Sequence, residues 1–250
     1  QAIRSFSERN GVSKAASTVE YAFLEYCLRE DLNMTAQRVM AVLHPVKLVI
    51  TNYPADKVET FTVENNPNCP EDGNREISFS RELWIEAEDF MAEPVPKYKR
   101  LYPDGPECRL KGAYIVKCTG FTADKNGNII EITAEYDPNS RGGDPADGRK
   151  VKGATLHWVD AKNAVDAEVR IYDNLFTVDN PEEGDFLDYL NSDSLEVLTG
   201  CKAEASLAGA KPGESYQFMR QGYFCADSRD SKPGNLVFNR SVKLKDSFKP

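Results

Sequence analysis

The sequence predicts a mainly β protein, a sandwich or a barrel, with a small helical element at its start. From Val39 onwards, apolar residues recur with a period of two in short runs, whereas helical spacing is confined to residues 1–34. Turn sequences such as Asp72-Gly73 and Asn126-Gly127 separate the runs. Many short strands with little helix between them are typical of sandwiches and barrels.

The helical element is predicted from two adjoining patterns. Residues 3–9 are amphipathic, and Gly11 breaks the pattern. The run Ser17-Thr18-Val19-Glu20 resembles a capping box, after which apolar residues return at helical spacing. We therefore expect a helix that starts at this capping box and ends near residue 34.

Eleven runs are predicted to be strands, at residues 46–51, 58–63, 76–80, 83–86, 109–119, 129–136, 151–159, 167–172, 196–203, 216–225 and 236–244. Asn126-Gly127 predicts a hairpin, because both residues tolerate positive φ. Residues 91–106 are rich in Pro and Gly and mark a candidate domain boundary. Residues 137–152 predict a long loop inside a domain.

Composition limits the class of protein. The 250 residues are 40% hydrophobic and 28% charged, as in soluble globular proteins of one or two domains. No apolar stretch approaches the roughly 20 residues of a membrane helix, and no secretory signal is recognisable, so we expect a cytoplasmic protein. The chain lacks an initiator methionine, which favours a fragment of a longer polypeptide. The net charge of -9 opposes indiscriminate nucleic-acid binding, so any RNA site must be local.

No motif predicts catalysis. Nucleophile-elbow, zincin and P-loop patterns are absent from the sequence, so no catalytic residue is assigned. The six cysteines are scattered singly, which favours reduced, packed thiols and argues against a metal site. His157 lies in a strand-like run, where a hydrogen-bonded structural histidine is favoured over a general base.

A basic and aromatic stretch is the first candidate binding feature. Positive charges alternate with tyrosines over residues 97–102 and return over 108–117. Strand alternation places four cations along one path that a phosphate backbone can follow: Lys97, Lys99, Arg109 and Lys111. Tyr98 and Tyr102 offer flat faces to unstacked bases. The alternative is an ordinary polar strand face.

A second candidate lies in residues 216–224. As a continuous strand, this run places Gln217 and Met219 on one face and Phe218 and Arg220 on the other. Gln and Arg side chains both offer fork-like hydrogen-bonding geometry suited to base edges.

Longer strings resemble the C-terminal region of glutaminyl-tRNA synthetases, from about residue 3 to about residue 247. The most specific are Leu-Arg-Glu-Asp-Leu-Asn at 28–33, Arg-Val-Met-Ala-Val at 38–42, Pro-Val-Lys-Leu-Val-Ile at 45–50, Asp-Pro-Ala-Asp-Gly-Arg-Lys-Val-Lys-Gly at 144–153 and Gly-Tyr-Phe-Cys-Ala-Asp-Ser-Arg at 222–229. The resemblance implies two β-barrels, the distal one inserted into the proximal one, after a helical connector. The implied boundaries are residues 1–36 for the connector, 37–95 plus 173–250 for the proximal barrel and 96–172 for the distal barrel.

The resemblance also implies roles for particular residues in anticodon recognition. Arg38 and Gln217 correspond to the pair that binds the central anticodon base, a uridine, with Arg220 supporting them. Arg100 corresponds to the contact with the third base and Lys99 to a phosphate contact beside it. Arg109 corresponds to the contact with the first base, and Lys111, where relatives often have Arg, is given a phosphate role only. Met219 departs from an acidic residue of relatives. Ser13 and Glu20 resemble contacts near the tRNA elbow, although a capping role is the alternative for Glu20.

The implied function is recognition of tRNA(Gln) by a monomeric module that binds neither DNA nor membranes. The chemistry, ATP-dependent charging of tRNA with glutamine by a class I synthetase, belongs to a catalytic domain that this sequence lacks, so no cofactor is expected here. A glutamyl-tRNA synthetase of the archaeal and eukaryotic type shares the barrels and is the nearest alternative, although the strings favour glutamine. A β-rich protein-interaction module without RNA binding and a small hydrolase using His157 are the alternatives from other classes.

Overall fold

The computed structural model describes residues 1–11 and 19–245. These residues form two α-helices, α1 (Ala2–Asn10) and α2 (Tyr21–Thr35), ahead of all the strands. Helix α1 ends at Gly11, whose φ of 74° lies in the left-handed region that glycine adopts without a steric penalty. The helices pack together through the Phe6 and Phe23 rings, whose centroids are 5.4 Å apart. No helix in the described ranges has the length and hydropathy required to cross a bilayer.

The described residues also form sixteen strands, which confirms the mainly β prediction. They are β1 (Gln37–Val39), β2 (Ala41–Val42), β3 (Pro45–Ile50), β4 (Glu59–Glu64), β5 (Asn74–Phe79), β6 (Glu82–Glu86), β7 (Cys108–Leu110), β8 (Ile115–Ala123), β9 (Ile129–Tyr136), β10 (Thr155–Leu156), β11 (Val159–Asp160), β12 (Val165–Tyr172), β13 (Leu195–Ala203), β14 (Ser215–Phe218), β15 (Gly222–Ala226) and β16 (Leu236–Lys243).

The first barrel is a seven-stranded sheet in the order β1-β14-β15-β16-β12-β13-β2. Its two edge strands, β1 and β2, are consecutive in the chain and separated only by Met40. The two edges therefore meet at one residue, and the sheet must curl round on itself to bring them there. The interior is filled by apolar side chains from alternate positions, with Phe218, Phe224 and Phe238 among the largest.

The second barrel is a seven-stranded sheet in the order β10-β7-β8-β9-β3-β6-β11. Its edge strands, β10 and β11, are again consecutive and are separated by His157 and Trp158. A separate hairpin, β4 with β5, contributes Phe61 and Phe79 to the core of this barrel. The ring centroids of Phe79 and Trp158 are 5.1 Å apart in an edge-to-face arrangement, a favourable geometry for aromatic pairs.

Hydrogen bonding groups the strands differently from the predicted domain boundaries. Strands β3 and β6 fall within the predicted proximal range but pair with strands of the second barrel, and β12 falls within the predicted distal range but pairs in the first. The chain therefore crosses between barrels at residues 43–44 and again after β11. The domain limits themselves stay a prediction.

Two predicted strands are each broken by a turn. The run 109–119 contains a tight turn at residues 111–114, where Gly112 has a φ of 70°, and the run 216–225 is a hairpin with a three-residue loop at 219–221. The run 151–159 is mostly irregular, with only β10 and the start of β11 pairing. The hairpin at Asn126-Gly127 and the loop at 137–152 are confirmed.

The buried carboxylate of Glu204 binds the backbone at Met40, where the chain passes from one edge strand of the first barrel to the other. Glu204 accepts the Met40 N–H at 2.9 Å, and the Glu204 N–H donates to the Met40 carbonyl at 3.1 Å. Arg75 donates to both oxygens of Glu204, at 2.5 and 2.9 Å. Since Met40 lies between two sheet edges, this carboxylate provides the hydrogen bond that a neighbouring strand would otherwise provide.

Candidate nucleic-acid interface

Arg38 and Gln217 lie side by side on two strands of the first barrel. Strands β1 and β14 are parallel, and Arg38 and Gln217 are register partners. Their chain neighbours Val39 and Phe218 are fully buried in the barrel core. Because side chains alternate along a strand, Arg38 and Gln217 both point out of the barrel.

The end of α2 and a neighbouring strand bound this outer face. Asn33, in the last turn of α2, accepts a hydrogen bond from Arg38 Nη2 at 3.1 Å and lies 3.4 Å from the Tyr223 hydroxyl. Tyr223 is the register partner of Gln217 on β15. Burial raises the pKa of Tyr223, although the nearby positive charge of Arg38 opposes the shift. The four side chains form what we call the central pocket: Asn33, Arg38, Gln217 and Tyr223.

Two polar atoms in the central pocket are buried without a hydrogen-bond partner in the described part of the chain. They are Nε of Arg38, a donor, and Oε1 of Gln217, an acceptor. Buried polar atoms are rarely left unpaired, because desolvation without a partner costs about 1–3 kcal/mol for each. A donor and an acceptor on adjacent strands match a ligand edge that carries a carbonyl beside an N–H, as uracil does.

Arg220 does not lie on a strand face, contrary to the sequence prediction. It is in the loop of the β14–β15 hairpin with a φ of 69°, because the chain turns immediately after Phe218. Its guanidinium donates to both oxygens of Asp89, at 2.6 and 2.7 Å. The Asp89 side chain is fully buried, and the hydrogen bonds that Arg220 donates to Asp89 raise the pKa of Arg220 against the opposing effect of burial.

His157 supports Arg220 from the other side. Its Nδ1 lies 3.2 Å from Arg220 Nη1, and its Nε2 lies 3.2 Å from Oε1 of Glu86. An arginine nitrogen only donates, so Nδ1 must be the acceptor and the ring proton must lie on Nε2, directed at Glu86. His157 is 1% exposed and both of its ring nitrogens have partners, which confirms the prediction of a hydrogen-bonded structural histidine.

Glu86 joins this cluster to both barrels. Its carboxylate accepts the backbone N–H groups of Leu43 and His44, where the chain crosses between barrels, and the side-chain amide of Gln221 at 2.7 Å. Burial acts to raise the pKa of Glu86, but the hydrogen bonds outweigh it, so the pKa lies below its ordinary value. The hairpin that carries Gln217 is therefore fixed to the second barrel through Gln221 as well as Arg220.

Arg100 contacts the Asp89 carboxylate, which also binds Arg220, from a different segment of the chain. Its Nε lies 3.3 Å from Asp89, and its Nη1 donates to the Glu88 carbonyl at 3.0 Å. The Arg100 side chain remains 33% exposed, and Lys99 beside it is exposed. Residues 91–100 form no strand, and Lys97 has a φ of 70°, so the predicted alternation of cations along a strand is wrong here.

Backbone hydrogen bonds of Ala154 connect the segment that carries Arg109 and Lys111 to the segment that carries Lys99. The Ala154 N–H donates to the Lys99 carbonyl at 2.7 Å, and the Arg109 N–H donates to the Ala154 carbonyl at 3.0 Å. Arg109 Nε donates to the Gly143 carbonyl at 2.9 Å, and its Nη2 lies 3.8 Å from Oδ1 of the exposed Asp144. Lys111 is exposed in the turn after β7.

Strand register, hydrogen bonds and adjacency along the chain link seven of the predicted residues, and we call this set the array. The order is Arg38 and Gln217 in the central pocket, then Arg220, Arg100 with Lys99, and finally Arg109 with Lys111. The array runs from the outer face of the first barrel onto the second, across the junction between them.

The two predicted elbow residues are not part of this array. Ser13 lies outside the described residues. Glu20 is exposed, and it is the N-cap of α2 rather than its third residue, with no capping hydrogen bond from its side chain. The predicted capping box is therefore wrong, since α2 begins only at Tyr21, and the elbow contacts of Ser13 and Glu20 stay predictions.

Four residues that contact the array, directly or through an adjacent residue, carry no functional signal in the sequence: Asn33, Glu86, Asp89 and Tyr223. Asn33 and Tyr223 fall inside the strings that carry the resemblance, but nothing local marks them as pocket residues. Asp89 follows the acidic run at residues 86–88 and resembles an ordinary solvated turn. Only its complete burial beside two arginines, one of them 131 positions away, reveals its role.

Two family models match this chain. Both are described as the anti-codon binding domain of class I tRNA synthetases (E and Q), and they match residues 36–137 and 155–227. Together they cover more than half of the chain and contain all seven residues of the array. Ser13 and Glu20 lie outside both matches.

Curated relatives align over nearly the whole chain. A glutamine--tRNA ligase of Vibrio cholerae is 54% identical over 248 residues, which is 99% of this chain and 44% of the relative. Glutamine--tRNA ligases of Clostridium kluyveri and Pseudomonas syringae are 51% and 49% identical over 100% and 99% of the chain. The chain thus spans a little under half the length of these relatives.

Proposed function

Since this chain belongs to the anticodon-binding domains of the class I glutamyl- and glutaminyl-tRNA synthetases, we propose that its array of basic and amide side chains recognises the anticodon of tRNA(Gln). Arg38 and Gln217 contact the central base, Arg100 the third base and Arg109 the first. Lys99 and Lys111 contact phosphates beside them. The interaction is recognition only, and no residue of the array performs chemistry.

The unpaired atoms of the central pocket carry this proposal. Arg38 Nε and Gln217 Oε1 belong to register partners and have no hydrogen-bond partners among the described residues, so a base gains both hydrogen bonds once the side chains that cover the two atoms move aside. An anticodon loop presents unstacked bases whose Watson–Crick edges are free. The uracil edge, with N3–H between two carbonyls, supplies the acceptor and the donor that the two atoms require.

The charge of the array explains how an acidic protein binds RNA here. The net charge is -9, yet Lys99 and Lys111 are exposed and lie within two residues of Arg100 and Arg109 in the chain. Phosphate contacts add affinity and fix register, whereas base contacts provide specificity. A local cluster of this kind restricts binding to one surface and limits indiscriminate association.

The identity of the tRNA and the activity of the whole protein follow from the relatives. The family description covers both glutamate and glutamine enzymes, and the relatives compared above are all glutamine--tRNA ligases. We infer that the whole protein charges tRNA(Gln) with glutamine in the cytoplasm. The catalytic domain and its ATP site then correspond to the part of the relatives outside the aligned region, and this chain acts as a monomeric module without a cofactor.

Titration of the 250-residue chain with anticodon stem-loops tests the proposal. A fluorescent stem-loop with a glutamine anticodon is expected to bind more tightly than variants changed at the first, central or third base. Each well-formed base contact is worth about 1–3 kcal/mol of discrimination, which is roughly 5- to 150-fold in Kd. Equal binding of all four stem-loops at low and moderate salt would refute the proposal and favour a protein-interaction module.

Arg100→Ala is expected to weaken discrimination at the third base by roughly 1–3 kcal/mol while the Kd for a third-base variant changes little. The matched control is Lys99→Ala, which removes an adjacent exposed cation and should weaken all stem-loops about equally. Both variants are compared by titration at one salt concentration. A uniform loss with Arg100→Ala would show that Arg100 contacts phosphate only.

A further inference from the structure

Asp89 is the one point in the array where two of its arginines meet. The carboxylate is fully buried, and it accepts both terminal nitrogens of Arg220 at 2.6 and 2.7 Å. Its Oδ1, which receives Arg220 Nη2, also lies 3.3 Å from Nε of Arg100. One negative charge therefore determines where two positive side chains point.

The three residues come from separate parts of the fold. Asp89 ends the turn Ala87–Asp89 that follows β6 of the second barrel, and Arg220 lies in a hairpin loop of the first barrel. Arg100 belongs to the irregular segment that leads into β7. Backbone hydrogen bonds place the two segments, as the Leu101 N–H to the Asp89 carbonyl does for Arg100, and the shared contact with Asp89 then sets where the two guanidinium groups lie relative to each other.

The conformation of Arg220 indicates that this contact shapes the hairpin itself. A non-glycine residue with a φ of 69° is in a sterically unfavourable conformation. The bidentate pair with Asp89 and the hydrogen bond to His157 offset that cost and hold the loop in place. Gln217 lies three residues earlier in the same hairpin. The contact with Asp89 therefore also helps to set the position of Gln217 in the central pocket.

From this geometry we propose that Asp89 is a positioning residue that couples recognition of the central and third anticodon bases. The inference rests on the function proposed above. Asp89 contacts no base itself; it orients Arg100 for the third base and, through Arg220, the hairpin that carries Gln217 for the central base. Arg109 instead contacts the Gly143 carbonyl and Asp144, so recognition of the first base does not depend on Asp89.

Coupling of this kind has a measurable consequence. When two groups share one partner, altering either changes the energy of the other, and their effects are not additive. A merely structural carboxylate would behave differently, because its loss would lower stability and weaken all three base contacts together.

The test measures the Kd of the 250-residue chain and its Asp89→Asn variant for four stem-loops: the cognate one and single-base variants at each anticodon position. Asn keeps the shape and removes the charge. We expect discrimination to fall about tenfold or more at both the central and third bases and to stay unchanged at the first. The matched control is Glu93→Gln, an exposed carboxylate of the same segment that contacts no residue of the array, with an expected change below about twofold.

A second variant keeps the test decisive if Asp89→Asn fails to fold, as judged by circular dichroism. Arg220→Lys retains the charge and loses the planar fork that fits both oxygens of Asp89. It should lower discrimination at the third base although Arg220 lies beside the central pocket.

Three results overturn the proposal. They are loss at only one of the two bases in Asp89→Asn, an equal loss at all three, and unchanged third-base discrimination in Arg220→Lys. If the unaltered chain does not discriminate at all, the proposed function fails as well, which separates that failure from the failure of coupling alone.

Discussion

Arg38→Ala is expected to remove most of the discrimination at the central anticodon base and to weaken cognate binding by about 2–3 kcal/mol, or roughly 30- to 150-fold in Kd. The substitution deletes the buried Nε donor and also leaves Oε1 of Gln217 without the base that completes its hydrogen bonding. Fluorescence titration with the cognate stem-loop and a central-base variant measures both effects. Discrimination at the first base should be unchanged, since Arg109 is held separately.

Arg38→Lys is the matched control for charge. Lysine keeps the positive charge and loses the planar guanidinium, including the donor at Nε. We expect affinity to fall less than with alanine, whereas central-base discrimination falls nearly as far. If Arg38→Lys retained full discrimination, Arg38 would act through charge alone and the central pocket would lose its assigned role.

Arg75→Ala is expected to lower the free energy of unfolding by about 3–5 kcal/mol, because it leaves the Glu204 carboxylate buried without its counter-ion. The side chains of Arg75 and Glu204 are 9% and 5% exposed, so solvent screens this pair little. Glu204 also holds Met40, the residue where the two edges of the first barrel meet. Urea denaturation followed by circular dichroism measures the change, with an unchanged m-value showing that the folded state stays compact.

Lys202→Ala is the control for this second experiment. Lys202 pairs with Asp166 on the neighbouring strand, but the Asp166 side chain is 77% exposed. Exposed pairs contribute about 0–1 kcal/mol, so a small change is expected. A similarly small change with Arg75→Ala would contradict the proposed importance of the buried pair for closing the first barrel.

The fold class was predictable because strand periodicity is local. Apolar residues alternate along β9 and β12, and the turn at Asn126-Gly127 has the residues that its backbone needs, so both features are visible in a short window. The breaks at residues 111–114 and 219–221 were not visible. Turns are usually polar, but Ala113 and Tyr114 are buried and Met219 packs against the second barrel, so the apolar runs continue through them.

The candidate site was predictable only in part, for a related reason. The family resemblance implied contacts for Arg38, Arg100, Arg109 and Gln217, although the strand alternation assumed for Arg220 was wrong. Their supporting residues have no local pattern. Asp89 is 131 positions from Arg220, a separation across which no periodicity or motif extends.

By itself, the sequence determined the mainly β class, the helical start, the position of several turns and the family to which the chain belongs. These features depend on side-chain spacing and on strings of residues, both of which are visible within short stretches of the sequence. Tertiary structure alone decided which strands share a barrel, that two arginines share one buried carboxylate and which side chains surround Arg38 and Gln217. Those facts depend on pairing between segments that are distant in the sequence. A buried charge or amide requires a hydrogen-bonding partner, and the fold, rather than the residue type, decides which group that partner is.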